Sequence, residues 1–200
     1  LKTTWDDFSI SLSPRSFLQL NTEMAKELYS MVISKVDPCE TLVEAYCGIG
    51  LMSLLASKKA QHVIGIESIP EAIENAKVIA EENHIENVEY ILDDAAEGLQ
   101  KVLKKTNVNT LLVDPPRSGM DDAMLETILS SSIEKIIYVS CNPATLARNL
   151  KVLKKNYQVL TVIPYDLFPN TPHIESITVL SRNGVKSGKK AKKYEIPVTE

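Results

Sequence analysis

Val43-Glu44-Ala45-Tyr46-Cys47-Gly48-Ile49-Gly50 is a mostly apolar run that ends in two glycines, and residues 51–57 continue it with the apolar content of a short helix. The pattern predicts a buried strand, a glycine turn and a helix N-terminus. Glycines let the backbone approach a ligand closely, and a helix N-terminus favours polar or anionic groups. The stretch therefore predicts the first strand–turn–helix unit of an open α/β sheet, with a ligand at its turn.

An acidic residue follows this turn at the spacing of a nucleoside site. The strand predicted at residues 62–67 ends in Glu67, about 20 residues after the glycines, where a carboxylate can accept hydrogen bonds from both ribose hydroxyls. A dinucleotide site favours a third glycine where this chain has Ser53. S-adenosylmethionine has no pyrophosphate and fits the shorter loop. Asp94 can accept from an adenine amino group, cap the next helix, or do both.

Strands and helices alternate along the chain. The predicted strands of the sheet cover residues 41–46, 62–67, 88–92, 110–114, 135–140, 157–164 and 174–181. The alternation predicts a mostly parallel α/β sheet, and the last two strands, which no helix separates, predict a hairpin with one antiparallel strand. We expect residues 1–21 to be a lead-in segment, residues 22–182 the catalytic domain, and residues 183–200 a Lys-rich tail.

Composition narrows the classes of function. A net charge of −4 and a pI near 5.5 are not typical of a dedicated nucleic-acid-binding domain, although late lysines leave room for a basic face toward RNA. Three cysteines without a secretory signal predict a reducing compartment, the cytoplasm, and their spacing predicts no metal site. The sequence contains no apolar run of the roughly 20 residues that a membrane span requires.

Two residues stand where predicted strands end. Cys141 follows the strand at 135–140 and precedes Asn142-Pro143, so it is placed as a nucleophile at the ligand-binding edge of the sheet; a small buried apolar residue is the alternative. Asp114 follows the strand before it, and two prolines then stiffen the turn. This turn is either a substrate loop or a plain rigid connection.

Five motifs occur in one order along residues 8–180. They are Ser16-Phe17-Leu18-Gln19-Leu20-Asn21, Tyr46-Cys47-Gly48-Ile49-Gly50, Asp114-Pro115-Pro116-Arg117-Ser118-Gly119, Ser140-Cys141-Asn142-Pro143 and His173-Ile174-Glu175-Ser176. Together they resemble the RNA 5-methyluridine (uracil-C5) methyltransferase family. Within that family, the overall likeness is greatest to the bacterial 23S rRNA enzymes. The resemblance implies a Rossmann-like class I domain that uses S-adenosylmethionine, with RNA-binding domains upstream of Leu1.

The resemblance also implies roles for individual residues. Cys141 would be the nucleophile and Glu175 the base. Residue 175 begins the last strand, so it reaches the carboxyl edge of the sheet only if that strand is antiparallel. The strand before the glycine loop has Glu44 where the family commonly has Asp. The implied cofactor contacts are Gln19, Tyr46, Gly48, Gly50, Glu67, Asp94 and Asp114.

The leading functional prediction is methylation of uridine C5 in RNA, with 23S rRNA as the first choice of substrate and tRNA as the second. A catalytically idle RNA-binding module with the same fold is one alternative. A methyltransferase that acts on nitrogen, and so does not need Cys141, is another. We expect no membrane partner.

Overall fold

The computed structural model describes residues 2–5, 8–11, 22–166 and 174–184. Helices and strands alternate along them, and the predicted elements are found within one or two residues of their expected bounds. In chain order they are β1 (Lys2–Trp5), β2 (Phe8–Ser11), α1 (Thr22–Ser34), β3 (Cys39–Ala45), α2 (Leu51–Ala56), β4 (Ala60–Glu67), α3 (Pro70–Glu82), β5 (Val88–Leu92), α4 (Ala95–Leu103), β6 (Thr110–Val113), α5 (Asp122–Ser130), β7 (Lys135–Ser140), α6 (Pro143–Leu153), β8 (Tyr157–Tyr165) and β9 (Glu175–Arg182).

Seven strands form one sheet in the order β5-β4-β3-β6-β7-β9-β8. Neighbours from β5 to β7 are parallel, whereas β9 is antiparallel to both β7 and β8. Within the described part of this sheet β9 is therefore the one reversed strand, which confirms the prediction. The strand order turns back between β3 and β6, the position where open α/β sheets bind their ligands.

The strands bury alternate residues on the two faces of the sheet, because successive side chains point in opposite directions. On one face Val43, Leu111 and Tyr138 pack against α4, α5 and α6. On the other, Leu112 and Ile137 pack against α1 and α2. Because helices cover both faces of the sheet, the side chains on both faces of the central strands are buried, and these strands are nearly continuous apolar runs.

Side-chain caps fix where three helices begin. Asp94 accepts from the backbone N–H of Ala96 at 2.9 Å, Asp121 from that of Met124 at 2.8 Å, and Asn142 from that of Ala144 at 3.0 Å. Each cap supplies a partner for an amide that the first helical turn leaves unbonded. The caps hold the loops at the carboxyl edge of the sheet in a defined path.

A small antiparallel hairpin of β1 and β2 packs beside the sheet. Trp5, Phe8 and Ile10 are buried with residues of α2 and α3. The Asn83 side chain donates to the Ser9 carbonyl and accepts from the Ser9 N–H, both at 2.8 Å. The Trp5 ring stacks on Tyr29 of α1 with centroids 5.2 Å apart. This part of the lead-in segment therefore packs on the α/β domain.

Candidate active site

The parallel strands end level at one edge of the sheet. Ala45 pairs with both Ile66 and Val113, so the residues that follow β3, β4 and β6 emerge side by side. β7 ends at Ser140 at the same edge, and β9 begins there with Glu175. The edge thus brings together four of the predicted site residues, Glu67, Asp114, Cys141 and Glu175.

The turn after β3 has an unusual backbone. Tyr46, Gly48 and Gly50 all have positive φ, at 65°, 54° and 73°, a region that favours glycine. A Cβ at Gly50 would overlap the Tyr90 ring, whose hydroxyl donates to the Gly50 carbonyl at 3.2 Å. A Cβ at Gly48 would meet nothing within 4 Å. The space beside Gly48 is therefore open to a ligand, as the glycine pattern predicted.

Glu67 joins this turn to the next one. Its Oε2 accepts from the Gly48 N–H at 3.0 Å, and its Oε1 accepts from the N–H groups of Ser68 at 2.8 Å and Ile69 at 3.1 Å. Its Oε1 also accepts from the Ser68 hydroxyl at 3.2 Å, whereas its Oε2 has one bond among the described residues and so keeps one acceptor position for a hydroxyl donor. Its place beside the open glycine turn fits the ribose of a nucleoside cofactor.

The position of Asp94 allows two roles, a helix cap and a contact with adenine, and the structure shows the cap. Its Oδ1 accepts from Ala96 and, at 3.3 Å, from Glu97, at the start of α4. The neighbouring Asp93 forms an ion pair with Lys101 at 2.6 Å. The contact of Asp94 with adenine stays a prediction.

Cys141 and Glu175 both lie where the pairing of β7 and β9 ends. The antiparallel pairing matches Ser140 with Ser176, and the Ser176 hydroxyl donates to the Ser140 carbonyl at 3.3 Å. Cys141 directly follows Ser140, and Glu175 directly precedes Ser176. Burial raises the pKa of the Cys141 thiol, and the charge of Glu175 raises it further, so the two groups are close enough to interact. The reversed direction of β9 therefore brings the predicted base to the same edge as the predicted nucleophile.

The charges around this pair are predominantly negative. Burial raises the pKa of the half-buried Cys141 thiol, and the charges of Glu175 and Asp114 raise it further, while Arg117 opposes them. Burial also raises the pKa of Glu175, again opposed by Arg117. Burial and then Glu175 raise the pKa of Asp114 to about 7. Asp114 therefore titrates near neutral pH, beside a thiol and a second carboxyl whose pKa values are also raised.

The loop after Asp114 is tied to the segment that follows Cys141. The Arg117 carbonyl accepts from the Asn142 side-chain amide at 3.2 Å and from the Thr145 hydroxyl at 3.3 Å. Asn149, fully buried, accepts from the Met120 N–H at 2.9 Å and donates to the Met120 carbonyl at 3.0 Å. These bonds hold the loop at Arg117 beside the segment that begins with Cys141.

The sequence pointed to Glu44 only as a departure from the family pattern, and it did not point to Tyr29. Glu44 on β3 is 1% exposed and accepts a hydrogen bond from the Ser53 hydroxyl, and burial raises its pKa to about 8. Burial raises the pKa of Tyr29 on α1, and the charges of Asp114, Glu44 and Glu175 raise it further. An acidic residue inside an apolar strand is a signal that could have pointed to Glu44. Nothing in the apolar stripe of α1 distinguishes Tyr29.

Some predicted features lie outside the described residues. These are the cofactor contact Gln19, its neighbour Asn21, and His173 of the last motif. Across residues 2–5, 8–11, 22–166 and 174–184, no three His, Cys, Asp or Glu side chains are grouped as a metal would require. In the same ranges, no helix has both the length and the apolar character needed to cross a bilayer.

Similar sequences extend over most of the chain. A protein of Bacillus cereus described as an uncharacterized RNA methyltransferase is 44% identical over 180 residues, covering 88% of this chain and 39% of its own length. A protein of Lactobacillus johnsonii with the same description is 45% identical over 173 residues, covering 84% and 38%. The chain therefore spans about two-fifths of the length of the curated relatives it matches.

Solved structures give the same fold. The crystal structure of Pyrococcus abyssi tRNA (uracil-54, C5)-methyltransferase in complex with S-adenosyl-L-homocysteine superposes with a TM-score of 0.79 at 30% identity, over 90% of this chain and 44% of that one. The M. jannaschii tRNA m1G37 methyltransferase superposes with a TM-score of 0.66 at 17% identity, over 91% and 56%, a likeness of fold alone. The domain has the Rossmann-like class I methyltransferase fold that the sequence predicted.

A family model described as tRNA (uracil-5-)-methyltransferase matches residues 6–183, which include the glycine turn, the loop after Asp114, Cys141 and Glu175. The match covers much more than half of the chain, and relatives above 40% identity extend over most of it. This chain belongs to the tRNA (uracil-5-)-methyltransferase family.

Proposed function

We propose that this domain transfers a methyl group from S-adenosylmethionine to C5 of a uridine in RNA, with Cys141 as nucleophile and Glu175 as base. The observation that supports this most is that Cys141 and Glu175 both lie at the end of the β7–β9 pairing, at the edge that also carries the glycine turn. Methylation of a nitrogen requires no thiol at this place. A binding module requires neither the thiol nor the carboxylate.

The residues present suit the cofactor. The open space at Gly48 and the remaining acceptor position of Glu67 Oε2 would fit an adenosine, with Tyr46 and Gly50 shaping the turn and Asp94 as a further contact. Asp114 and Gln19 would complete the contacts. When bound, S-adenosylmethionine supplies an activated methyl group that the uracil carbon receives.

Cys141 begins the reaction. Uracil C5 is a weak nucleophile, so the Cys141 thiol first loses its proton to solvent, to which it is half exposed. The thiolate then forms a bond to C6, and the C5–C6 π electrons move toward O4 to give an enolate with electron density at C5. Nucleophilic catalysis of this kind divides one difficult step into easier ones. The positive charge of Arg117 stabilises the Cys141 thiolate, whereas the charges of Glu175 and Asp114 destabilise it.

Glu175 completes the reaction. After C5 has received the methyl group, it still carries its proton, and the carboxylate of Glu175 takes that proton. The electron pair of the C5–H bond then restores the C5–C6 double bond, and the bond from C6 to the sulfur breaks. The raised pKa of Glu175 brings this base nearer to neutral pH, where a general base is most effective.

Two RNA classes are candidates for the substrate. The sequence motifs favour 23S rRNA, whereas the family description and the Pyrococcus abyssi structure name tRNA. A uridine within folded RNA must leave its stack to reach Cys141, so we expect base flipping. We also place the activity in the cytoplasm, because the mechanism requires a reduced thiol.

A methyl-transfer assay tests the proposal. The protein is incubated with radiolabelled S-adenosylmethionine and unmodified 23S rRNA or tRNA, and the RNA is digested to nucleosides. We expect label in 5-methyluridine from one RNA class, loss of transfer in Cys141→Ala, and retention in Cys39→Ala, which removes a half-buried thiol from the opposite edge of the sheet. Label in an N-methylated nucleoside, or full activity of Cys141→Ala, would exclude the proposed chemistry.

A further inference from the structure

The Glu44 carboxyl is buried without a compensating charge. It is 1% exposed, it accepts one hydrogen bond from Ser53, and its Oε1 has no hydrogen-bond partner in the described part of the chain. A buried carboxylate is costly unless a cation or several donors offset its charge. The charges that act on Glu44 are those of Asp114 and Glu67, which have the same sign. Glu44 therefore holds its proton to about pH 8.

Asp114 is a second carboxyl close enough for its charge to act on Glu44. β3 and β6 are adjacent, and Ala45 pairs with Val113, so Asp114 follows directly beyond the strand pair that contains Glu44. Its pKa is about 7. The cation nearby, Arg117, acts on Cys141 and Glu175. The other titratable groups that face Glu44 or Asp114 are Tyr29, Cys47, Glu67, Tyr90, Tyr138, Cys141 and Glu175.

We propose that Glu44 and Asp114 act as a pair that senses the positive charge of a sulfonium cofactor and releases a proton when that cation binds. The inference rests on the proposed function, because methyl transfer to C5, next to the carbon that Cys141 attacks, requires the sulfonium at this edge. S-adenosylhomocysteine has nearly the same shape but a neutral sulfur. The pair therefore lets the domain distinguish cofactor from product by charge.

The consequence is a preference that depends on pH. At low pH both carboxyls are protonated and neutral, and they contribute little to the choice between the two ligands. As the pH rises through 7 and 8, a bound cation stabilises their ionised forms, and the cofactor gains affinity relative to the product. Transfer of the methyl group removes the charge, so the product loses this contribution and leaves more readily.

Calorimetry on the protein without RNA tests this inference. Dissociation constants for S-adenosylmethionine and S-adenosylhomocysteine are measured from pH 6 to 8.5, and the ratio Kd(homocysteine form)/Kd(methionine form) is followed. One linked proton changes this ratio by at most about tenfold per pH unit, and we expect a rise of about fivefold or more over the range. Glu44→Gln and Asp114→Asn should each make the Kd ratio rise less steeply with pH. The ligands' own amino groups titrate alike with every variant, so their effect cancels when the slopes of variant and wild type are compared.

Glu126→Gln is the matched control. It removes an exposed carboxylate from α5 whose charge is not among those that act on Glu44 or Asp114, so it should leave both affinities and the slope of the ratio unchanged. Equal slopes in the wild type, Glu44→Gln and Asp114→Asn would overturn the inference and leave the proposed function standing. If neither ligand binds the wild type, the proposed function fails, and this inference fails with it.

Discussion

At the scale of single residues, the site depends on how charge is distributed around one thiol. Burial disfavours the Cys141 thiolate in the free protein, the charges of Glu175 and Asp114 disfavour it further, and the charge of Arg117 opposes them. We expect alkylation of Cys141 by iodoacetamide to rise with pH to a midpoint above that of an ordinary cysteine. Arg117→Gln should move the midpoint higher still, because it removes the charge that stabilises the thiolate.

Arg148→Gln is the control for this alkylation profile. It removes the same charge from α6, where the guanidinium donates to the Ser118 carbonyl, and its charge is not among those that act on Cys141. Its midpoint should equal that of the wild type. Equal midpoints for the Arg117 and Arg148 variants, or a midpoint below the ordinary value, would refute this account of the thiol.

The base has its own residue-scale prediction. Glu175→Gln leaves no carboxylate to take the C5 proton, so the reaction should stop after methylation with Cys141 still bonded to C6. With ordinary uridine RNA, denaturing gels should then show a covalent protein–RNA band that the wild type does not accumulate. Free 5-methyluridine product formed at the wild-type rate would assign the proton transfer to another group.

Glu44 also affects stability. Its folded pKa, about 8, is above that of an unfolded glutamate, so the folded protein holds a proton that the unfolded chain releases between about pH 4.5 and 8. Stability should therefore fall as the pH rises through this window. Between pH 5.5 and pH 8.5, Glu44→Gln should lose less unfolding free energy than the wild type, and this recovery should be on the order of a few kcal/mol. Urea unfolding at the two pH values measures it. The exposed Glu126→Gln should show no such recovery.

At the scale of elements, α6 holds the loop after Asp114 in place. Buried Asn149 bonds both the N–H and carbonyl of Met120 and accepts from the Tyr138 hydroxyl at 2.8 Å. Asn149→Ala leaves three buried polar groups unpaired and should cost on the order of 2–4 kcal/mol in unfolding free energy. Asn156→Ala, which loses one bond to Leu129, should cost less. Equal costs would contradict this role.

The sequence predicted the parts of the site that depend on local pattern. The glycine turn, the strand ends at Asp114 and Cys141, and the cap at Asp94 each follow from a few adjacent residues. The position of Glu175 required one topological step: the sequence predicts no helix between the last two strands, and a hairpin of that kind reverses one strand. Asn149 and Tyr29 were not predicted, because their contacts join residues far apart in the chain, and local periodicity carries no information about such contacts.

At the scale of the whole molecule, the hairpin of β1 and β2 belongs to the core that supports the cofactor side. Trp5 is 1% exposed and packs with Ile49, Leu51 and Leu54 near the glycine turn. Trp5→Ala should lower the free energy of unfolding by about 3–5 kcal/mol. The exposed Thr4→Ala is its control, and chemical denaturation provides the comparison. Equal stability of the two variants would show that the hairpin does not stabilise the domain.

The central claim is that Cys141 bonds to uracil C6, and covalent trapping tests it most directly. The protein is mixed with S-adenosylmethionine and 23S rRNA or tRNA that contains 5-fluorouridine. Fluorine at C5 cannot leave as a proton does, so the adduct should persist as a shifted band on a denaturing gel, absent in Cys141→Ala and present in Cys39→Ala. A shifted band that survives in Cys141→Ala, or no band with any RNA despite measurable cofactor binding, would contradict the account.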